Sequence, residues 1–317
     1  MRPVLVTLHI GPREVGVHTY GLLIALGLAL GITLGAREAR RRGLDVGRVL
    51  DFAFWGTVAG LVGARVSYGL VNLGEFAHTC ARGTEAARGI LGVIADCTRF
   101  LAVWQGGLVF YGGAVGAAFV AVVFARRERW SYWVLGDVFA PGIAIGHALG
   151  RLGCYAAGCC FGKESGPWGA AFPAGSVAFD ELGSVGALQP GASFTPPLHP
   201  TQLYEAGGEL AIFALLLFLR PRLRARPGTL VLVYAALYAV LRFVVELFRG
   251  DFARRYVFEL ATPRLARWLG VPATDPVLLS VGQLVSLALL VACAVAALRR
   301  RASAPFGRSD AGGGTRT

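Results

Sequence analysis

Apolar residues in this chain gather into long runs separated by short polar stretches, several of which are dense in arginine. A hydrocarbon core of about 30 Å takes roughly 20 apolar residues in a helix, since each residue rises about 1.5 Å. Seven runs approach that length: Thr19 to Ala36, Val49 to Asn72, Trp104 to Ala125, Val134 to Gly150, Leu203 to Leu219, Thr229 to Leu247 and Val277 to Leu298. The fourth and fifth are the shortest and have polar ends. The pattern predicts an all-α polytopic membrane protein of about seven helices. Residues 1–301 form a single transmembrane domain, and 302–317, rich in Gly, Ser and Arg, form a disordered tail. Glycines recur within the spans, as at Gly56, Gly60 and Gly63 and again at Gly112, Gly113 and Gly116, where small residues let helices approach closely in lipid. No internal repeat of the inverted-repeat transporter kind is visible.

Composition supports lipid as the solvent: 55% of the 317 residues are hydrophobic and 16% charged. The formal charge of +12 does not point to nucleic acid, because the arginines sit in clusters between apolar runs. Arg37 to Arg42, Arg126 to Arg129, Arg220 to Arg226 and the segment from Arg299 all fall on one side of a seven-span chain, the side expected to be cytoplasmic. The other side receives the amino terminus and the connectors Leu73 to Val103, Arg151 to Gln202 and Phe248 to Pro276, the second being a long irregular extracytoplasmic segment. The third carries Arg249, Arg254, Arg255, Arg264 and Arg267, so the bias is imperfect. Pro3, His9, Pro12, Arg13 and His18 interrupt the amino terminus, and no cleaved signal peptide is expected.

Ionisable groups at membrane depth are costly and mark candidate sites. Four places qualify: Arg65 with Tyr68, Gly150-Arg151, the string His199-Pro200-Thr201-Gln202-Leu203-Tyr204-Glu205, and Arg242 with Glu246. Each also has a plain reading. Arg242 and Glu246, four apart, can satisfy each other on one helix. His199-Pro200 can open a helix with Glu205 satisfied locally. Arg65 and Arg151 can snorkel, or pair with Glu205 and Asp137. Cys154, Cys159 and Cys160 crowd one glycine-rich segment. Metal binding, thiol exchange and small-residue packing are all open to them, although adjacent Cys159 and Cys160 lack the C-x-x-C spacing of zinc sites, and no metal is expected. Cys80 and Cys97 flank a polar extracytoplasmic stretch where a bridge is chemically permitted, though spacing does not establish one.

Taken in order, these segments resemble the prolipoprotein diacylglyceryl transferase family. Ile10-Gly11-Pro12 with His18-Thr19-Tyr20-Gly21 resembles its opening, and Gly63-Ala64-Arg65 with Tyr68 its second span. Gly106 to Gly113 resembles its glycine-rich third span, Gly150-Arg151-Leu152-Gly153 the start of its signature, and His199 to Glu205 its most recognisable string. Arg242 to Arg249 and Gly282-Gln283 complete the pattern. The chain departs from it in having Tyr111 where family members place a histidine, and Cys154 and Cys159 where they place an asparagine and a glutamate.

The resemblance implies a multi-pass enzyme of the bacterial cytoplasmic membrane, with its amino terminus outside and its carboxyl terminus in the cytoplasm. Its partners would be phosphatidylglycerol, membrane lipid, and a preprolipoprotein signal peptide whose lipobox cysteine receives the diacylglyceryl group as glycerol phosphate leaves. No cofactor is implied. Catalytic roles are expected for Arg151, His199, Arg242, Tyr111 and Glu205, and substrate-binding roles for Tyr20, Arg65, Gly150, Gly153, Gln202, Tyr204, Glu246 and Arg249. Cys154, Cys159 and Cys160 mark a redox or altered site. The competing readings are a thiol-redox or lipid-binding protein on the same scaffold and a transporter. Reporter fusions after Arg42, Arg127 and Arg224 are expected to report cytoplasm, and a periplasmic signal from all of them would invert the orientation.

Overall fold

The computed structural model describes residues 4–10, 13–74, 109–166, 169–251, 256–272 and 276–302. Cys80 and Cys97, most of the polar stretch between the second and third spans, and the carboxyl-terminal tail lie outside them. The chain is a polytopic, mostly helical membrane protein. Six described helices are long and apolar enough to cross a membrane: α1 (Thr19–Arg41), α2 (Val46–Val71), α4 (Tyr132–Ala157), α6 (Thr201–Leu223), α7 (Thr229–Phe248) and α9 (Val281–Ala302), the last qualifying over Val281–Arg300. The third expected span overlaps α3 (Phe110–Arg127), and its residues 104–108 lie outside the described residues. Short α5 (Val177–Ser184) and α8 (Pro263–Leu269) lie in connectors. Leucines, valines and aromatics stand exposed along the long helices, as at Phe54, Trp55 and Leu70 of α2 and Val291 and Leu298 of α9, as lipid-facing surfaces require.

Two boundaries differ from the sequence reading in ways that matter. The fourth expected span, ending at Gly150, continues as helix to Ala157, so Arg151 and Cys154 are helical residues. The run opening at Val277 is not helical throughout: Pro276–Ser280 is a strand, β4, paired antiparallel with β3 (Tyr256–Ala261), and helix begins at Val281. A second two-stranded sheet pairs β1 (Val4–Ile10) with β2 (Arg13–His18). The β-branched and apolar residues of Val4 to Ile10 suit a strand, and that hairpin was not part of the all-α expectation.

By internal contacts the chain divides into two compact units. One, Ile32–Phe139, is built on α2 and α3. Asp45 caps α2 by accepting from the backbone nitrogens of Gly47 (2.8 Å) and Arg48 (3.3 Å). The two helices meet through their glycines, where a Cβ added to Gly63 would collide with the carbonyl of Gly112. One end of this unit carries the Arg42–Glu38 pair at 2.8 Å and Arg48–Glu128 at 3.1 Å over a core of Ala39, Val49 and Val138. Arg65 is buried in α2 with its guanidinium 5.0 Å from the Tyr68 ring centre. Tyr111 stands in the first turn of α3, and its side chain lies outside the described residues.

The other unit comprises Met1–Gly31 and Ala140–Thr317. Its main core joins Ala140 and Ala144 of α4, Ile212 and Leu216 of α6, and Leu230 and Tyr234 of α7. The connector between α4 and α6 has a core of its own, Phe161, Phe172, Ala178 and Leu198. Burying each of those phenylalanines contributes about 1.5–3 kcal/mol, which holds an otherwise irregular segment in place.

Gly63→Val is expected to force α2 and α3 apart, costing about 1–3 kcal/mol and lowering the thermal midpoint in detergent. Gly56→Ala, with open space around the new methyl, is expected to hold or raise it.

Candidate functional site

Three helices of the second unit each present a pair of ionisable residues four apart, and the pairs converge: His147 and Arg151 of α4, Glu205 and Glu209 of α6, Arg242 and Glu246 of α7. At four-residue spacing each pair lies on one helix face. Glu205 is the hub. One carboxylate oxygen lies 3.0 Å from Arg151 Nη2 and the other 3.4 Å from Arg242 Nη1, and the residue is 1% exposed. Arg242 turns its second nitrogen to Glu246 at 2.7 Å, so the pair expected within α7 forms and also reaches α6. Both guanidinium side chains keep an accessible edge, 16% for Arg151 and 17% for Arg242.

His147 and Glu209 were missed by the sequence reading, although stepping four residues back from Arg151 and on from Glu205 finds both. Nε of Arg151 lies 3.3 Å from His147 Nε2, which is also 3.4 Å from a Glu205 carboxylate oxygen, while His147 Nδ1 lies 2.9 Å from a carboxylate oxygen of fully buried Glu209. Glu246 is braced from the far side as Ser280 Oγ donates to it at 3.1 Å. Gln283 accepts from the Ser280 nitrogen and donates to the Val277 carbonyl.

The glycine-rich turn after α4 is pinned by the start of α6. Thr201 Oγ1 donates to the Cys160 carbonyl and Gln202 Nε2 to the Cys159 carbonyl, each at 2.7 Å. Cys160 takes a left-handed backbone conformation, φ +61°, which a side-chain-bearing residue adopts only at a cost of about 1 kcal/mol or more. Beyond it the backbone is stitched to two other elements. Gly162 N donates to His199 O, His199 N to Lys163 O, Lys163 N to Phe248 O, and Gly250 N to Phe161 O. A Cβ on Gly162 would lie 2.6 Å from His199, so only glycine passes there.

This stitching brings the three cysteines together, with all three sulfur atoms within 4.8 Å of one another, and each is a free thiol. Hydrogen bonds from Cys154 and Cys159 hold the Cys160 thiol well below the usual range, with Arg249 and Arg151 acting in the same direction. Cys159, donating to its two neighbours, is pushed up. Arg249 itself is gripped by Asp251 through two bonds of 2.6 and 2.9 Å.

His199 Nδ1 lies 3.1 Å from the Tyr204 hydroxyl, and its ring packs 5.1 Å from that of Phe248. Burial pushes this imidazole below its ordinary 6.5, against a backbone hydrogen bond to Gly270 that raises it. Both residues edge an open cleft of ≈ 380 Å³ whose other walls are Leu241, Val244, Val245, Phe248 and Leu269. Tyr20 abuts Gly153, where an added Cβ would meet its ring at 3.0 Å, while the space beside Gly150 is open. Of the expected site residues, Arg65 and Tyr111 belong to the α2–α3 unit and the rest to this one.

Replacing Glu205 with Gln removes the one buried negative charge shared by two partly buried arginines. The variant is expected to lose about 3 kcal/mol of stability, seen as a lower thermal midpoint, and an unchanged midpoint would show the arginines balanced elsewhere.

The profile of the family described as prolipoprotein diacylglyceryl transferase matches residues 5–299. The chain is similar to the phosphatidylglycerol–prolipoprotein diacylglyceryl transferase of Trichormus variabilis, 31% identical over 257 residues, 78% of this chain and 79% of that one. The Geobacillus kaustophilus enzyme of the same name is 34% identical over 248 residues, covering 78% and 81%. That of Oceanobacillus iheyensis is 27% identical over 266 residues, covering 84% and 83%. With nearly its whole length matched, this chain belongs to the prolipoprotein diacylglyceryl transferase family.

Proposed function

We propose that this chain moves the diacylglyceryl group of phosphatidylglycerol onto the lipobox cysteine of a preprolipoprotein signal peptide, the first step of bacterial lipoprotein maturation. It acts in the cytoplasmic membrane, with the amino terminus outside and the site opening toward the outer face. The observation that carries this reading is the seating of Arg151 and Arg242 on the two oxygens of one buried carboxylate, each with an accessible edge left for an anion.

In the reaction the lipobox sulfur attacks the glyceryl carbon. A carbon–sulfur bond forms, the carbon–oxygen bond to phosphate breaks, and its electron pair leaves on glycerol phosphate. Arg151 and Arg242 meet the charge gathering on that leaving group, where fixed donors in a water-poor site act most strongly. Glu205 orients both and is braced in turn by the rest of the ion lattice. His199, kept neutral by burial, accepts the thiol proton, and Tyr204 fixes its ring. The apolar cleft beside them suits an acyl chain or the apolar core of a signal peptide. Gln202, bonded to the Cys159 carbonyl, positions the thiol turn, and Arg249 on Asp251 adds positive charge for the headgroup. Tyr20, Gly150 and Gly153 border the lipid.

Purified protein given phosphatidylglycerol and a lipobox peptide is expected to yield a diacylglyceryl thioether on the peptide cysteine by mass spectrometry. Absence of product from the parent chain would refute the assignment. Arg151→Lys and Arg242→Lys are expected to cut turnover about a hundredfold while leaving the protein folded, and full activity in both would make the arginines structural. His199→Ala should be severe and Tyr111→Phe partial. Because the His199 pKa is lowered, its neutral form persists to more acid solution. The acid limb of the rate profile is therefore expected below 6.5.

A further inference from the structure

Cys154, Cys159 and Cys160 have a degree of preparation that packing does not explain. Their sulfur atoms lie within 4.8 Å of one another. The turn that brings them together is held in a strained left-handed conformation at Cys160, and both cysteine carbonyls are tied down by side chains of α6. A disulfide would use two sulfurs and strand the third. A zinc ion bound tetrahedrally by thiolates at about 2.3 Å needs its sulfurs about 3.8 Å apart, a closing movement of no more than about 1 Å from the separation seen. Sequence spacing argued against zinc because Cys159 and Cys160 are adjacent, but the left-handed turn removes that objection.

We propose that Cys154, Cys159 and Cys160 bind one zinc ion as three thiolates, and that the fourth tetrahedral position takes the lipobox cysteine of the substrate as its thiolate. The second half rests on the transferase reading above. Three thiolates with zinc carry one negative charge and four carry two, and Arg151 and Arg249, though paired with Glu205 and Asp251, act on Cys160 as positive charges. Zinc is redox-inert and prefers sulfur, and a coordinating thiol is deprotonated outright, which is what the alkylation of sulfur requires. The substrate thiol binds the metal as its proton passes to His199. The sulfur then supplies the electron pair for the new carbon–sulfur bond, while the breaking carbon–oxygen bond leaves its pair on glycerol phosphate. The resulting thioether, a weaker ligand, dissociates and reopens the position.

The test uses full-length protein in detergent, reduced and stripped of metal by a chelator, titrated with Co²⁺ as a visible probe and then with Zn²⁺. One Co²⁺ per chain with the spectrum of a tetrahedral thiolate site, displaced by Zn²⁺, is expected. Affinity should fall about tenfold or more in each of Cys154→Ser, Cys159→Ser and Cys160→Ser. A lipobox peptide should strengthen the thiolate-to-cobalt band, and the same peptide with serine for its cysteine should not. Absence of a tetrahedral thiolate spectrum in the cobalt-titrated parent overturns the site, and a spectrum indifferent to the peptide thiol overturns the open position. These readings on the parent protein need no variant to fold. Full transfer activity in metal-free protein would overturn the metal's role and uphold the transferase reading. A loaded protein that binds the peptide thiol yet transfers nothing would do the reverse.

Discussion

One buried carboxylate governs the arrangement of the helical core around the site. Charges taken out of water cost several kcal/mol each, and the cost is recovered only where partners are close and hydrogen bonds fill the remaining valences. Glu205 meets that condition by facing Arg151 on α4 and Arg242 on α7 at once. Three helices therefore hold one rotational setting, since turning any of them strands a charge. The second ring of contacts, His147 on Glu209 and Ser280 on Glu246, extends the same constraint to the start of α9.

The irregular segment after α4 depends on that lattice and completes it. Its chain passes between the start of α6 and the end of α7, and its amides bond to both. A close crossing at Gly162 and a strained turn at Cys160 are the consequences. Strain of this kind persists where the surroundings over-determine it. Here Thr201 and Gln202 do so from the first turn of the helix that carries Glu205, and the thiol cluster and the arginine cluster become neighbours through a single set of contacts.

Lipid imposes the remaining architecture. Helices gain nothing from burying apolar surface against one another in hydrocarbon, so close backbone approach and polar contacts hold them together. Gly63 against Gly112 in one unit and Gly31 against Gly142 in the other are such approaches. The exposed apolar faces left over are the surfaces that lipid solvates.

The spans were legible in the sequence because hydropathy over about 20 residues reports the solvent directly. The polar string from His199 to Glu205 and the pair Arg242 and Glu246 stood out because ionisable residues are scarce at that depth. Helix ends were less legible: α4 runs on past Arg151 because its last turns gain partners from α6, and Pro276–Ser280 is a strand because β3 pairs with it. By itself the sequence determined the membrane class, the family resemblance and the charged residues that had to find partners. Only the tertiary structure decided which partners they found, because ion pairing across helices and the convergence of three sulfurs depend on helix rotation and on one left-handed turn, neither of which leaves a periodic trace in the chain.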